Sequence, residues 1–134
     1  MGSKRKTKRE NGRKNDDGKL RFDLIPVRPL CAIAEVFTTG AQIYDDRNWE
    51  NGLRWGRVFA AMMRHAFAWW GGERYDPDGG QDHLSSVAWC AMALMEYQET
   101  HPDLDDRPKR KAEKGRERQK KVDRRQAGTP QTKA

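Results

Sequence analysis

The amino-acid sequence predicts an all-α fold, a compact helical domain of three main helices. Between residues 17 and 106 the apolar residues recur every three or four positions, as they do along one face of a helix. Turns rich in Gly, Pro and Asp separate these periodic stretches. No stretch of any length shows the strict apolar–polar alternation that is typical of a β-strand.

The first helix is predicted to begin near Pro29, because proline is favoured in the first turn of a helix. It is predicted to continue to Tyr44, where a polar turn from Asp45 to Gly52 follows. Residues at helical spacing give this helix one apolar face, namely Leu30, Ile33, Ala34, Phe37, Ala41 and Tyr44.

The second helix is predicted from Arg54 to Trp70, and Gly71 and Gly72 end it. One broad apolar stripe runs along its length. The residues of this stripe are Trp55, Val58, Phe59, Met62, Met63, Ala66, Trp69 and Trp70.

The third helix follows a loop, residues 73–81, that contains one proline and two glycines. Asp82 can cap this helix, which is predicted to run to about Glu99. The two cysteines, Cys31 and Cys90, lie within apolar stretches without the spacing of a metal or redox motif, which favours small core residues. The residues of the third helix that we expect to face inward are Leu84, Val87, Ala91, Leu94 and Met95.

The net charge of +7 is unevenly distributed along the chain. Residues 1–15 carry seven Lys or Arg against one acid, and residues 107–134 carry twelve against three. The middle, residues 16–106, carries eight basic residues against sixteen acidic ones. The sequence therefore predicts a disordered basic tail at 1–16, a folded domain at 17–106, and a second basic tail at 107–134 that is disordered or transiently helical.

The tails and the folded domain suggest different partners. The tails serve either solubility or non-specific contact with nucleic acid or another polyanion. The acidic domain needs positive charge to handle phosphates, and divalent cations are the usual source. No apolar run approaches the ~20 residues of a membrane span, so we expect no membrane partner. The N-terminus lacks the apolar stretch of a secretory signal, which predicts a cytoplasmic location, the host cytoplasm if the chain is phage-encoded.

The predicted core of three helices is too small to bury all the apolar side chains of the domain. Three helices must cover five tryptophans and two wide apolar stripes. Assembly into a helical homodimer or homotetramer would bury the remainder, so we expect an oligomer.

Segment Glu73–His83 is the densest group of chemically active residues, with four carboxylates and a histidine within eleven positions. Mg²⁺ typically binds one or two carboxylates together with waters and substrate phosphates. The spacing does not match the calcium loop of an EF-hand. An ordinary solvated acidic turn is the alternative, but two apolar helices converge on this loop and favour a place at the rim of the core.

Single residues elsewhere also suggest chemistry. Glu35 lies between apolar neighbours, which disfavours a lone acid unless it has a partner or a metal ion. His83 is either a hydrogen-bonded core histidine or a ligand and proton carrier. Arg64 points away from the apolar stripe of the second helix. It could therefore contact a phosphate or form an ordinary salt bridge. Asn48 and Trp49 suit hydrogen bonding and stacking with a nucleobase, although Trp49 alternatively fills the core beneath its turn.

Several motifs occur in an order that resembles a known family. They are Lys19–Pro26, Glu35 followed by Gly40–Tyr44, Asn48–Gly52, Arg64-His65 with Ala68-Trp69, Gly72-Glu73, Asp76-Pro77 and His83-Leu84. The ordered set covers residues 19–99 and resembles the small phage and bacterial dATP/dGTP diphosphohydrolases. These are related to the MazG-like all-α nucleoside triphosphate pyrophosphohydrolases.

The resemblance implies hydrolysis of a purine deoxynucleoside triphosphate to the monophosphate and pyrophosphate, in phage nucleotide metabolism. It implies Mg²⁺ or Mn²⁺ held by Glu35, Glu73 and Asp76, with Glu35 and His83 as the catalytic residues. It also implies a homodimer or homotetramer. In this interpretation the residues that bind the substrate are Lys19, Arg21 and Arg64 at the phosphates and Asn48 and Trp49 at the base.

One alternative belongs to a different class of protein. A small helical scaffold could use its basic tails to bind nucleic acid or a phage protein partner without catalysis. Steeply salt-dependent DNA binding that is lost on removal of both tails, together with no turnover of any nucleotide, would favour it.

Overall fold

The observed architecture is all-helical, as predicted. The computed structural model describes residues 12–127, and within that range it contains no β-strand, only an isolated antiparallel bridge between Tyr75 and Asp82. The four α-helices are α1 (Val27–Tyr44), α2 (Trp55–Trp70), α3 (His83–Thr100) and α4 (Lys111–Ala127). Three short 3₁₀ turns accompany them, Phe22–Leu24, Asn48–Asn51 and Pro102–Leu104.

The bounds of the first three helices confirm the pattern-based prediction to within two residues, and the reasons are local. The carboxylate of Asp82 accepts a hydrogen bond of 2.9 Å from the backbone N–H of Leu84, which caps the start of α3. At the end of α2, Gly71 donates its N–H to the carbonyl of Phe67, and Gly72 has a φ of +102° that other residues rarely adopt.

The core lies between α2 and α3, and α1 also packs against α3. The buried apolar residues of the core are Trp55, Val58, Cys90, Ala93 and Tyr97. The Tyr97 hydroxyl donates a hydrogen bond to the backbone carbonyl of Trp49, so the turn between α1 and α2 is tied to a core residue of α3.

The buried face of α3 differs from the predicted one. Leu84 and Met95 were expected inside but are 45% and 68% exposed, and Ala91 is also exposed. Most of the buried residues recur at helical spacing on another face, namely His83, Ser86, Cys90, Ala93 and Tyr97, and Ser85 is buried beside them. The reason is that apolar residues lie all around α3, so periodicity alone does not select a face. The small side chains at 86, 90 and 93 let α2 approach closely.

A short segment after α3 folds back over the start of α2. We call residues 101–107 the return segment. The indole N–H of Trp55 donates to the carbonyl of His101 at 3.2 Å, and the backbone N–H of Gly56 donates to the carboxylate of Asp106 at 2.7 Å. The guanidinium of Arg107 lies 4.7 Å from the centre of the Trp55 ring. The first turn of α2 is therefore capped from a distant part of the sequence.

Much apolar surface stays exposed on the single chain. No residue of α1 is buried, and Phe59, Phe67 and Trp70 on α2 are 53%, 66% and 79% exposed. Cys90 is buried as predicted, whereas the prediction of a core position for Cys31 was wrong, because it lies on this exposed surface of α1.

The two predicted tails fall partly outside the described residues. Residues 12–16 have no helix or strand, and the remainder of the first tail, 1–11, lies outside the described range. The second tail contains α4, and residues 128–134 lie outside the described range. Within the described part of the chain, no helix has the length and hydropathy needed to cross a membrane.

Candidate active site

The loop that joins α2 to α3, which we call the 73–82 loop, is held in a narrow hairpin-like shape. The backbone N–H of Asp76 donates to the carbonyl of Gln81 at 2.8 Å, and that of His83 donates to the carbonyl of Arg74 at 3.0 Å. Gly80 turns the chain with a φ of +72° and donates to the carbonyl of Asp76 at 2.7 Å. These bonds bring the start of α3 beside the acids of the loop.

Two histidines and two carboxylates meet at the base of this loop. His83, which is 4% exposed, directs Nε2 at Oε1 of Glu73 and Nδ1 at Nδ1 of His65, at 2.9 Å in each case. Nδ1 of His65 lies 4.0 Å from Oδ2 of Asp76. Oδ1 of Asp76 accepts the backbone N–H of Asp78 at 2.9 Å, so this carboxylate is oriented by its own loop.

The surroundings of His65 favour its neutral form. Burial lowers the pKa of His65 below its ordinary value, His83 and Arg64 lower it further, and Asp76 acts in the opposite direction. A neutral imidazole has a lone pair available for a proton or a metal ion.

Three of these residues have the chemistry and the placement to hold a metal ion. His65, Asp76 and His83 each offer one donor atom, and the three atoms lie within 4.8 Å of one another. We call these three residues the His–Asp cluster. Imidazole nitrogen and carboxylate oxygen together suit divalent transition metals.

The predicted catalytic and metal-binding residues are only partly brought together. His83 and Asp76 belong to the His–Asp cluster, and Glu73 bonds to His83. Glu35 lies exposed on α1 and makes no hydrogen bond or ion pair with any of residues 12–127. Helical spacing predicts the face of α1 on which Glu35 lies. It does not predict which helix or loop packs against that face.

A cavity of about 1040 Å³ opens between α1, the turn after it and α3. Its apolar walls include Phe37 and Trp89, and Asn48 and Gln81 add side-chain amides. Trp49 is half-buried and packs against Phe37 and Trp89, with ring centres 5.6 and 6.5 Å away, and it also lines the cavity. Trp49 thus fills the core beneath its turn and also borders the cavity that Asn48 lines.

Two of the predicted phosphate-binding residues, Lys19 and Arg21, lie away from this site, whereas Arg64 lies beside it. Arg21 forms two hydrogen bonds with Asp23 at 2.6 and 2.7 Å, and Lys19 interacts with Asn15 and Asp16. These partners all belong to the N-terminal segment. Arg64 is exposed on α2, one residue before His65, and forms no hydrogen bond or ion pair within residues 12–127.

Two residues of this region were not predicted as site residues, although His65 belongs to one of the motifs of the family resemblance. His65 follows the buried Val58 by seven positions, two helical turns, and that spacing is the signal that puts it on the face of α2 toward α3. Gln81 has no comparable signal, because a loop has no periodicity from which the direction of a side chain can be read.

Comparison with known proteins identifies one family. A family model described as dATP/dGTP diphosphohydrolase, N-terminal, matches residues 9–107. The match includes α1 to α3, the 73–82 loop and the return segment, and it ends before α4. The comparisons with curated proteins and with solved structures found no match.

Proposed function

The chain belongs to the dATP/dGTP diphosphohydrolase family, and we propose that it hydrolyses purine deoxynucleoside triphosphates to the monophosphate and pyrophosphate with Mg²⁺ or Mn²⁺. The family description supports a hydrolase of dATP or dGTP. The point of attack, the metal dependence and the role in phage nucleotide metabolism are the proposal. The proposal also retains purine dNTP as the substrate class.

The observation that carries this proposal is that the 73–82 loop borders both the His–Asp cluster and the cavity lined by aromatic residues. Asp76 of the 73–82 loop belongs to the His–Asp cluster, whereas Gly79 and Gln81 of the same loop line the aromatic cavity. A nucleotide with its base in the cavity would therefore direct its phosphates along the loop toward the cluster. A shared rigid loop gives the positioning that phosphoryl transfer needs most.

The residues of the site would have separate roles in binding the base, the phosphates and the metal ion. The aromatic rings of the cavity would stack on the purine, and the amides of Asn48 and Gln81 would hydrogen-bond its edge. The exposed guanidinium of Arg64 would contact a phosphate oxygen. Neutral His65 would offer its nitrogen lone pair to a divalent ion at the cluster. When bound at the cluster, a divalent ion supplies positive charge to the triphosphate and lowers the pKa of water.

The deciding experiment measures pyrophosphate and phosphate release from each of the four dNTPs, with Mg²⁺, with Mn²⁺ and with EDTA. We expect metal-dependent pyrophosphate release from dATP or dGTP. Release of single phosphate would contradict the proposed point of attack, and no release with any metal would contradict the function.

Two variants then examine the predicted acids. Asp76→Asn should abolish turnover with the helical content unchanged, since it removes a charge from the cluster. Glu35→Ala is expected to abolish turnover as well if α1 contributes a ligand, and full activity would remove Glu35 from the mechanism. Glu96→Ala, an exposed acid of α3 away from the loop, is the matched control.

We further propose that the enzyme works as a homodimer or homotetramer. The exposed apolar residues of α1 and α2 support this, because a lone chain would leave large aromatic side chains in water. Light scattering coupled to gel filtration gives the number of chains directly, and a monomer at micromolar concentration would refute it.

A second candidate function rests on the basic C-terminal region. The described side chains of α4 are exposed, and about half of them are basic. A cleft of about 640 Å³ between α4 and residues 105–110 is lined mainly by lysine and arginine, together with Asp105 and Glu117. These features suit non-specific contact with nucleic acid. Binding of duplex DNA that weakens steeply with salt and vanishes after removal of residues 108–134 would support this function. Binding that survives the truncation would refute it.

A further inference from the structure

We propose that His65, Asp76 and His83 form a binding site for one six-coordinate divalent transition-metal ion, with Mn²⁺ the probe of choice, and that Glu73 positions His83 without binding the ion. This inference rests on the proposed function for its use of the site, and it replaces the carboxylate-only ligand set expected from the sequence with two imidazoles and one carboxylate.

The distance between the two imidazole nitrogens matches such an ion. Two neighbouring ligands on an octahedral ion with bonds of about 2.1 Å lie about 3.0 Å apart, and on a tetrahedral ion about 3.4 Å apart. The Nδ1 atoms of His65 and His83 are separated by 2.9 Å. If an ion replaces the hydrogen bond between the rings, its bonds to the two nitrogens would therefore form an angle close to a right angle. This angle favours octahedral geometry over a tetrahedral zinc site.

The third ligand comes from the loop. Oδ2 of Asp76 faces the cluster, because Oδ1 already accepts the N–H of Asp78 and the backbone of Asp76 is bonded to Gln81 and Gly80. A carboxylate fixed in this way loses little freedom when it binds. Two histidines and one carboxylate on three separate elements leave half of an octahedron open for water and phosphate oxygens.

Glu73 acts through His83. When Nε2 of His83 donates its proton to Oε1 of Glu73, Nδ1 is left with a lone pair that points at the cluster. A carboxylate in this relation to a ligating histidine fixes the ring and raises its basicity. The side chain of Glu73 is itself about half exposed, so the bond is made at the rim of the site.

Nitrogen ligands set the metal preference. Mg²⁺ prefers oxygen ligands and retains its waters, whereas imidazole suits Mn²⁺ and its neighbours in the transition series. The site should therefore bind Mn²⁺ more tightly than Mg²⁺ in the absence of nucleotide.

The test is a titration of the full chain with Mn²⁺, followed by the decrease of the EPR signal of free Mn²⁺. We expect one tight Mn²⁺ per chain and nitrogen modulation of its electron spin echo, the signature of imidazole ligands. His65→Asn and Asp76→Asn should weaken binding at least about tenfold, and Glu73→Ala should weaken it about 10- to 100-fold. Glu73→Gln should recover part of that loss, because the amide oxygen still accepts from His83.

Asp78→Asn is the matched control, since it removes a charge from the same loop without touching the cluster, and its affinity should equal that of the wild type. Circular dichroism of each variant verifies the helical fold. Wild-type affinity in both His65→Asn and Asp76→Asn, or bound Mn²⁺ without nitrogen modulation, would overturn the proposal.

Turnover measured beside binding separates the two proposals. Tight nitrogen-bound Mn²⁺ without hydrolysis of any dNTP would retain this site and refute the proposed function. Hydrolysis of dNTP by a wild-type chain that binds no Mn²⁺ through nitrogen ligands would retain the function and refute this site.

Discussion

Replacement of Gly52 by alanine should destabilise the domain more than the same replacement at Gly72. Both glycines have a positive φ, +93° and +102°, which an alanine adopts at a cost of about 1–3 kcal/mol. Their surroundings differ. A Cβ at Gly52 would lie 2.5 Å from Cδ2 of His101 and 2.6 Å from Cδ1 of Leu104, whereas a Cβ at Gly72 would meet nothing within 4 Å.

The steric part of the effect belongs to Gly52→Ala alone. The imidazole of His101 is hydrogen-bonded to Thr100 at 2.8 Å and lies edge-on to the Tyr97 ring, so it cannot turn aside freely. Forcing a methyl group into such a packed place costs about 1–3 kcal/mol. At about 4–8 °C per kcal/mol for a domain of this size, Gly52→Ala should melt at least about 4 °C below Gly72→Ala.

Thermal unfolding followed by circular dichroism at the helical minimum measures both variants under identical conditions. Urea unfolding followed by tryptophan fluorescence gives an independent free energy of unfolding. Equal losses of stability in the two variants would show that the return segment yields to the methyl group, and the steric reasoning would be wrong.

Further predictions follow from other contacts. Asp82→Ala removes the cap of α3 and should lower the free energy of unfolding by about 0.5–2 kcal/mol, whereas Asp82→Asn should recover most of it; equal unfolding midpoints for the two would contradict the cap. Cys90 should react with a thiol reagent only after unfolding, as counted by absorbance, because it is buried within the single chain. Burial raises the pKa of the Cys90 thiol from 9.0 to about 11, so the thiol is retained in the folded state while the unfolded chain ionises. The contribution of this thiol to the free energy of unfolding is complete below pH 9 and is lost as the pH rises toward 11. The melting temperature should therefore fall over this pH range, and Cys90→Ala should make the fall less steep. Trp89→Leu should raise the KM for dATP or dGTP more than it lowers kcat, which steady-state kinetics will separate; a change in kcat alone would remove the ring from base binding.

The sequence predicted the helices well because each is defined by its own residues. Pro29 near the start of α1, the glycines after Trp70 and the capping Asp82 act within one turn of the helix that they delimit. Such signals do not depend on the partners of the helix, which explains why the bounds agree to within two residues.

The faces and the site were harder to predict because they depend on partners. On α3 the buried side is rich in Ser, Cys and Ala, which a search for large apolar residues passes over. Glu35 and His65 illustrate the same limit in the site. The spacing puts each on a definite face of its helix, but only the packing of α2 on α3 brings His65 to His83 while Glu35 faces outward.

The return segment has a consequence for how the chain reaches its native state. The bonds that it makes to Trp55 and Gly56 join residues 46 and 50 positions apart, and the chain between them includes α2, the 73–82 loop and α3. A contact that closes so long a stretch pays its loop entropy before it gains any stability. Helices α2 and α3 can therefore pair first. The first turn of α2 becomes fixed only when the return segment, residues 101–107, packs over it in a late step of folding.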